Sequence, residues 1–206
     1  MSKSIVINYE NKPCYRIEIR RDFSDFLYCL KSCIPNLEKR RVCIVSESNI
    51  APLYLEQILS LLREHTATVV SHVFPAGEAS KNLDTVTQVY TTLIQNHFDR
   101  NDLLVALGGG VVGDLTGFAA ATYLRGIRFV QIPTSLLSQV DSSIGGKTGV
   151  DFACYKNMVG AFYQPSLVYI NLDVLHSLQK REFLSGMGEI IKHGLIKDRQ
   201  YYNWLK

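Results

Sequence analysis

Residues 103–114 read LLVALGGGVVGD, an apolar run that leads into three consecutive glycines. The apolar run predicts a buried strand, and the residues after it predict a helix from about Val111 to Tyr123. Glycine allows a tight backbone turn and lets a ligand approach the amides closely. A helix N-terminus facing that turn offers free N–H groups and the positive end of its dipole. The stretch therefore predicts a phosphate cradle, and with it a nucleotide or a phosphorylated substrate.

Short apolar segments alternate with helical patterns on both sides of this stretch. We predict strands at residues 41–46, 68–74, 103–107, 128–133 and 167–170, and helices at residues 51–64 and 83–98. This alternation is typical of an α/β fold, a Rossmann-like parallel sheet with right-handed crossovers. In such sheets ligands bind beyond the carboxyl ends of the strands. Residues 4–20 predict an N-terminal hairpin.

The pattern changes near residue 172, after which only helices are predicted. We therefore expect an α/β domain over residues 1–172 and the beginning of an all-α domain over residues 173–206. The second part is too short to hold a core of its own. We accordingly expect a truncated chain, or one that another segment completes.

Composition narrows the class of protein. The chain has 206 residues, of which 47% are hydrophobic and 20% charged, so it can bury a substantial core. The formal net charge of +3 is too small to indicate nucleic-acid binding. We find neither a secretory leader nor an apolar stretch long enough for a bilayer, and expect a cytoplasmic protein without membrane contact. The odd number of cysteines, five, favours free thiols in a reducing compartment.

Gly108, Gly110 and Gly113 satisfy the G-x-G-x-x-G pattern of dinucleotide-binding turns. The acidic ribose ligand expected about 20 residues later is missing, because that region contains Thr134 and Ser135. Those hydroxyls suit a helix N-cap, a diphosphate contact, or both. The ribose carboxylate must therefore come from elsewhere.

One strand earlier, Glu78 is a candidate for the ribose hydroxyls and Lys81 for a polar edge of adenosine. The alternative is that Glu78 only caps the following helix. Asp114, in the first helical turn after the glycines, suits a cap or a ligand contact equally.

The segment 139–149, QVDSSIGGKTG, contains Gly-Gly-Lys-Thr but lacks the glycine spacing of a Walker A loop. Glycines beside Asp141 and Lys147, with Lys156 and Asn157 nearby, instead predict an anion site. Farther along, Glu189 and His193 share a helix face at i, i+4. They could form a metal pair, or be a surface carboxylate beside a packed histidine.

Five segments, in order and correctly spaced between about residues 41 and 198, closely resemble the 3-dehydroquinate synthase family. They are Gly77-Glu78, LGGGVVGDLTGFAA (107–120), RGIRFVQIPTSLLSQVDSSIGGKTG (125–149), KNMVGAFYQP (156–165) and GMGEIIKHG (186–194). The resemblance implies a lyase of the shikimate pathway that converts the keto-acid sugar phosphate DAHP to 3-dehydroquinate with loss of phosphate. It also implies NAD, which accepts and returns a hydride, and a divalent metal, zinc or cobalt, which polarises the alcohol that is oxidised.

The resemblance also implies roles for individual residues. Cofactor contacts would be Gly77, Glu78, Lys81, Gly110, Val111, Val112, Gly113, Asp114, Thr134, Ser135, Asp141, Lys147, Lys156, Val174, Leu175 and Ser177. Catalytic or substrate contacts would be Asp141, Lys147, Asn157, Lys192 and Arg125, with Arg125 reaching the neighbouring subunit's site in a homodimer. Glu189 would be one of three metal ligands, the other two being histidines beyond Lys206, and His193 would not be a ligand. Because catalytic zinc needs three protein ligands, we expect NAD binding without turnover.

The chain departs from the family pattern at Ser135, where threonine is frequent, and at Gln179, where proline is common. Three other functions fit parts of the pattern. A related sugar-phosphate cyclase would use the same cofactors, and a polyol dehydrogenase of similar architecture would release NADH. A non-catalytic nucleotide-binding module would bind no divalent ion.

Overall fold

The computed structural model describes residues 2–206. Its strands are Lys3–Tyr9 (β1), Lys12–Arg20 (β2), Arg41–Glu47 (β3), Thr68–Phe74 (β4), Leu103–Gly108 (β5), Arg128–Pro133 (β6), Lys147–Phe152 (β7), Tyr155–Phe162 (β8) and Leu167–Asn171 (β9). Its α-helices are Phe26–Cys33 (α1), Ala51–Arg63 (α2), Leu83–Gln95 (α3), Gly110–Thr122 (α4), Lys180–Lys197 (α5) and Arg199–Leu205 (α6).

Seven strands form one sheet in the order β1-β2-β9-β6-β5-β3-β4. Every neighbouring pair is parallel except the N-terminal hairpin of β1 and β2. The predicted parallel α/β sheet is thus confirmed. Strand β4 lies outside β3, whereas the chain continues from β5 in the other direction, to β6 and β9. The gap between the ends of β3 and β5 is therefore a topological switch point, where ligands of such sheets bind.

The two faces of the sheet carry separate parts of the core. Val42 and Ile44 of β3 pack in a cluster with α1 and α2, while Cys43 and Val45 pack with α3 and α4. All six residues of β5 are buried. Burial of each large apolar side chain contributes roughly 1.5–3 kcal/mol, so the strand that precedes the glycines is firmly placed.

An antiparallel hairpin of β7 and β8 stands apart from the main sheet. This hairpin was not predicted from the sequence, because its glycines and polar residues interrupt the alternation that marks a strand. Thr148 of β7 packs against Gly117, where a Cβ would collide with the threonine methyl group. The hairpin is thereby fixed against α4 and close to its first turn.

Residues after β9 are helical, as predicted, beginning with a 3-10 turn at Asp173–Ser177. Helix α5 approaches the α/β domain closely at Gly186, where a Cβ would lie 2.6 Å from Cγ of Leu136. Several apolar side chains of α5 and α6 are exposed, among them Leu195 and Trp204. Within residues 2–206, none of the helices has the length and apolar character required to cross a membrane.

Candidate functional site

Two adjoining cavities open at the carboxyl ends of the parallel strands. The first, of about 690 Å³, lies at the switch point and receives residues from the ends of β3, β4, β5 and β6. The second, of about 490 Å³, lies between Asp114 of α4 and the β7–β8 hairpin. Because α4 begins at Gly110, Asp114 lies just beyond the first helical turn, in which it was predicted. Asp114 and Ser142 line both cavities, so the two form one continuous cleft.

The glycines after β5 form one wall of the first cavity. Gly109 is the N-cap of α4 and supplies no side-chain cap, so the first N–H groups of the helix are available to a ligand. A Cβ on Gly110 would lie 3.0 Å from Oγ of Ser142, at the junction of the two cavities. Gly113 is required for packing: a Cβ added at this position would lie 2.8 Å from Oε1 of Gln131 on β6. The first two glycines thus leave space for a ligand, and the third lets the helix approach the sheet.

The hydroxyls after β6 face the same cavity. The N–H of Thr134 donates to the carbonyl of Gly108 at 3.0 Å, which joins the ends of β5 and β6. Oγ of Ser135 accepts from the N–H of Ser138 at 3.2 Å and also faces the cavity. Ser135 is therefore both a cap and a lining residue.

Lys81 is the most buried charged group of the cleft, with 5% of the residue exposed. Its Nζ donates to Oδ2 of Asp114 at 2.7 Å and to Oδ1 of Asn157 at 2.6 Å. Lys81 follows the 3-10 turn Glu78–Ser80 after β4, whereas Asp114 and Asn157 lie near the starts of α4 and β8. The ammonium of Lys81 thus joins three separate segments of the chain. A buried charge is tolerated when it is paired and hydrogen-bonded, as it is here.

Burial raises the pKa of the Asp114 carboxyl above its ordinary value of 3.8, and the hydrogen bond from Lys81 opposes that rise. The folded state therefore binds this proton more tightly than the unfolded state does. The stability that results is fully present below the unfolded pKa and is lost as the pH rises through the folded pKa.

Asp114→Asn should consequently change how the free energy of unfolding depends on pH. Relative to the Asn variant, the wild type should gain stability as the pH falls from neutral toward about 4. Urea unfolding of both proteins at a series of pH values measures this difference. An identical pH dependence for the two proteins would contradict the inferred burial of the carboxyl.

Asp141, Lys147 and Asn157 line the second cavity together with Asp114. Asp141 lies in a π-helical turn at Ser138–Ser142, which follows β6 and brings the carboxylate toward α5. Three of the four predicted anion-site residues, Asp141, Lys147 and Asn157, thus line one cavity, whereas Lys156 lines neither cavity and pairs with Glu78. The carboxylates of Asp114 and Asp141 also make the second cavity suitable for cations and hydroxyls.

Asp141, Glu189 and His193 form a cluster whose ligand atoms all lie within 4.8 Å of one another. Two carboxylates and an imidazole are a donor set that suits zinc or cobalt. The Lys192 ammonium pairs with Glu189, and this hydrogen bond raises the pKa of Lys192. A protein cation therefore already lies where a metal ion would be favoured. The i, i+4 spacing predicted that Glu189 and His193 share a helix face, and the resemblance implied that Glu189 alone is a ligand; neither predicted the approach of Asp141.

Of the other predicted cofactor contacts, some line the first cavity and others do not. Glu78 lines the first cavity and pairs with Lys156 at 3.3 Å. Ser177 lines it too and contacts Oη of Tyr54 at 2.6 Å, whereas Val174 is buried in the core.

The structure places three further predicted residues outside the two cavities. Leu175 lies in the 3-10 turn Asp173–Ser177. Arg125 is exposed in the turn after α4, with a left-handed backbone at φ 67°. Lys192 lies with Glu189 on α5, beside Asp141.

Glu47, the last residue of β3, and Asn49 just after it line the first cavity but were not predicted from the sequence. Oε2 of Glu47 accepts the N–H of Asn49 at 2.7 Å. The order of the strands was the missing information, because it makes the end of β3 one side of the switch point. Their position after a predicted parallel strand was the signal that could have identified them.

This fold and this cleft define an α/β protein with an open cleft at a topological switch point. The family model for the N-terminal part of 3-dehydroquinate synthase matches residues 71–185. The chain belongs to the 3-dehydroquinate synthase family. It is 51% identical over 172 residues to the 3-dehydroquinate synthase of Acidithiobacillus ferrooxidans, which covers 84% of this chain and 47% of the relative. The chain spans about half the length of the curated relatives it matches.

Solved structures with the same fold include two related cyclases. A 2-deoxy-scyllo-inosose synthase in complex with carbaglucose-6-phosphate, NAD+ and Co2+ is 28% identical, with a TM-score of 0.84 over 95% of this chain and 52% of that one. The 2-epi-5-epi-valiolone synthase of Streptomyces hygroscopicus, with NAD+ and Zn2+ bound, is 31% identical, with a TM-score of 0.78 over 94% of this chain and 53% of that one.

Proposed function

We propose that this chain provides the NAD-binding part of a 3-dehydroquinate synthase, a cyclising, phosphate-eliminating lyase of the shikimate pathway. One observation carries the proposal: the uncapped, glycine-lined start of α4 opens into the switch-point cleft beside the buried Lys81. Membership of the family supports the proposal, as do the NAD+ and divalent metal bound to the related cyclases.

The residues of the first cavity suit the successive parts of a dinucleotide. The N–H groups at the start of α4 would hold the diphosphate, with help from the hydroxyls of Thr134 and Ser135. The carboxylate of Glu78 would accept hydrogen bonds from ribose hydroxyls. The nicotinamide end would then extend toward Asp114, at the junction with the second cavity.

The second cavity would hold the sugar phosphate. Asp141, Lys147 and Asn157 line it and offer a carboxylate, an ammonium and an amide to hydroxyls and a phosphate. NAD+ supplies a reversible hydride acceptor when it is bound. The residues of this chain would orient the alcohol beside the cofactor. Orientation alone can lower the activation free energy by several kcal/mol.

The metal would be bound by Glu189, and its chemistry is to polarise the alcohol. The ligand atoms of Asp141 and His193 lie within 4.8 Å of that of Glu189, whereas the resemblance places the other two ligands, both histidines, beyond Lys206 and excludes His193. We expect Glu189→Gln to weaken Co2+ binding by at least about tenfold, because the amide removes a charged ligand. Absorbance titration with Co2+ measures this without activity, and Glu56→Gln on the exposed face of α2 is the control. Unchanged affinity in the Glu189 variant would contradict the assignment, and His193→Ala tests the imidazole.

Calorimetric titration with NAD+ tests the proposed function directly. We expect saturable binding to one site per chain, with ADP-ribose as a competitor. In the presence of DAHP and a divalent metal, accumulation of NADH absorbance would favour a polyol dehydrogenase instead. The absence of NAD+ binding at millimolar concentration would contradict the proposal.

We further propose that the protein acts as a homodimer in which Arg125 reaches the neighbouring subunit's phosphate site. The exposed, left-handed turn at Leu124 and Arg125 supports this proposal, because Arg125 lines neither cavity of its own chain and is accessible to a neighbour. Light scattering of the purified protein measures the oligomeric state, and a strictly monomeric protein would contradict it.

A further inference from the structure

Asp151 lies at an irregularity of the β7–β8 hairpin. The register of the two strands shifts between Val150 and Phe152, so Asp151 is left out of the regular ladder. Irregularities of this kind redirect a side chain and are frequent beside functional sites. The backbone N–H of Asp151 leaves the hairpin and donates to the carbonyl of Lys81 at 2.8 Å.

The side chain of Asp151 holds the other strand of the hairpin. Its Oδ1 accepts the backbone N–H of Asn157 at 2.7 Å. Asn157 has a left-handed backbone, with φ at 56°, inside strand β8. Left-handed residues are disfavoured for L-amino acids and need support from their surroundings. The charge-assisted hydrogen bond from Asn157 to Asp151 supplies that support.

The two contacts of Asp151 converge on one ammonium group. One contact fixes the main chain of Lys81, and the other fixes the main chain of Asn157 so that its Oδ1 lies 2.6 Å from Nζ of Lys81. Nζ of Lys81 also reaches Asp114, 2.7 Å away. The carboxylate of Asp151 is therefore in position to determine where the Lys81 ammonium points, although the two side chains are not bonded to each other.

We infer that Asp151 is a positioning residue, which holds Asn157 in its left-handed conformation and thereby directs the Lys81 ammonium into the cleft. The effect on a ligand rests on the proposed NAD+ binding. The effect on the orientation of the Lys81 ammonium is independent of NAD+ binding and can be measured in the protein without ligand.

The test is a lysine-selective ¹H–¹⁵N spectrum of the side-chain ammonium groups, with the Lys81 signal assigned by its loss in Lys81→Arg. In the wild type we expect its protons to be protected from exchange with water. Asp151→Ala should accelerate that exchange by at least about tenfold, because the amide oxygen of Asn157 moves away. Asp151→Asn keeps an oxygen acceptor at the same distance and should preserve the protection.

Two further variants complete the design. Asp151→Glu keeps the charge but displaces the carboxylate, and should behave like Asp151→Ala. If the alanine variant does not fold, the comparison of Asp151→Glu with Asp151→Asn decides the outcome. Asp99→Ala is the matched control. Oδ1 of Asp99 also accepts a backbone N–H, that of Asn101 at 2.7 Å. Asp99, however, precedes β5 and so lies at the amino ends of the strands, away from the cleft.

NAD+ titration of the same variants gives the second readout. Asp151→Ala should bind NAD+ about tenfold more weakly, whereas Asp151→Asn should bind it like the wild type. The inference would be overturned if the exchange of the Lys81 ammonium protons were unchanged in Asp151→Ala and Asp151→Glu. It would also be overturned if Asp151→Asn lost as much protection as Asp151→Ala. If the exchange changes as expected but the wild type binds no NAD+, the positioning role stands and the proposed function fails.

Discussion

Gly110→Val should weaken NAD+ binding by at least about a hundredfold, since it removes several backbone hydrogen bonds to the diphosphate at about 1 kcal/mol each. The Cβ alone would lie 3.0 Å from Oγ of Ser142, and the two methyl groups would extend into the junction of the cavities. The fold should tolerate the change at a cost of about 1–2 kcal/mol, because the serine hydroxyl can move. Calorimetry measures the affinity, and urea unfolding measures the stability.

Gly188→Val is the matched control for this variant. Gly188 also lies in a helix, and a Cβ there would meet nothing within 4 Å. The control should bind NAD+ like the wild type. If Gly110→Val bound NAD+ with wild-type affinity, the diphosphate could not lie against the start of α4.

Lys81→Met should both lower the stability and weaken NAD+ binding. Breaking a buried ion pair costs about 3–5 kcal/mol when both charges are buried. The Asp114 side chain is 22% exposed to solvent. We therefore expect Lys81→Met to lower the free energy of unfolding by about 2–3 kcal/mol, at or below the lower end of that range. The pKa of Asp114 should rise further, because Lys81 is the group that lowers it. NAD+ affinity should fall by at least about tenfold, as expected for the loss of a charged hydrogen-bond donor.

A second substitution separates the two effects of Lys81→Met. In the double variant Lys81→Met with Asp114→Asn, the unpaired carboxylate is gone and part of the stability should return. NAD+ affinity should stay low, since the ammonium is still absent. Lys39→Met, at an exposed position before β3, is the control. A Lys81→Met protein as stable as the wild type would show that the buried pair is not formed.

Most of the sheet follows from the sequence because its strands are short apolar runs separated by helices. The positions of β3 to β6 and β9 were predicted within a few residues, and the glycine turn after β5 was recognised. The β7–β8 hairpin was not predicted, because glycines (Gly149 and Gly160) and polar residues within its strands, such as Asp151 and Asn157, obscure the alternation. Its contact with Gly117 depends on shape, which single residues do not reveal.

The candidate site was predictable as separate segments but not as a set of contacts. Lys81, Asp114 and Asn157 each stood out, yet their hydrogen bonds join residues that are 33 and 76 positions apart. Glu47 escaped notice because strand order, not strand identity, places it at the switch point. The spacing of Glu189 and His193 indicated a shared helix face. The position of Asp141 beside them depends on the π-helical turn after β6, which the sequence pattern did not reveal.

A crystal structure of the protein soaked with NAD+ tests the central claim most directly. We predict the diphosphate at the start of α4, within hydrogen-bond distance of the N–H groups of residues 110–112, with the nicotinamide directed toward Asp114. The cofactor bound elsewhere, or that helix N-terminus without a diphosphate at saturating NAD+, would contradict the account.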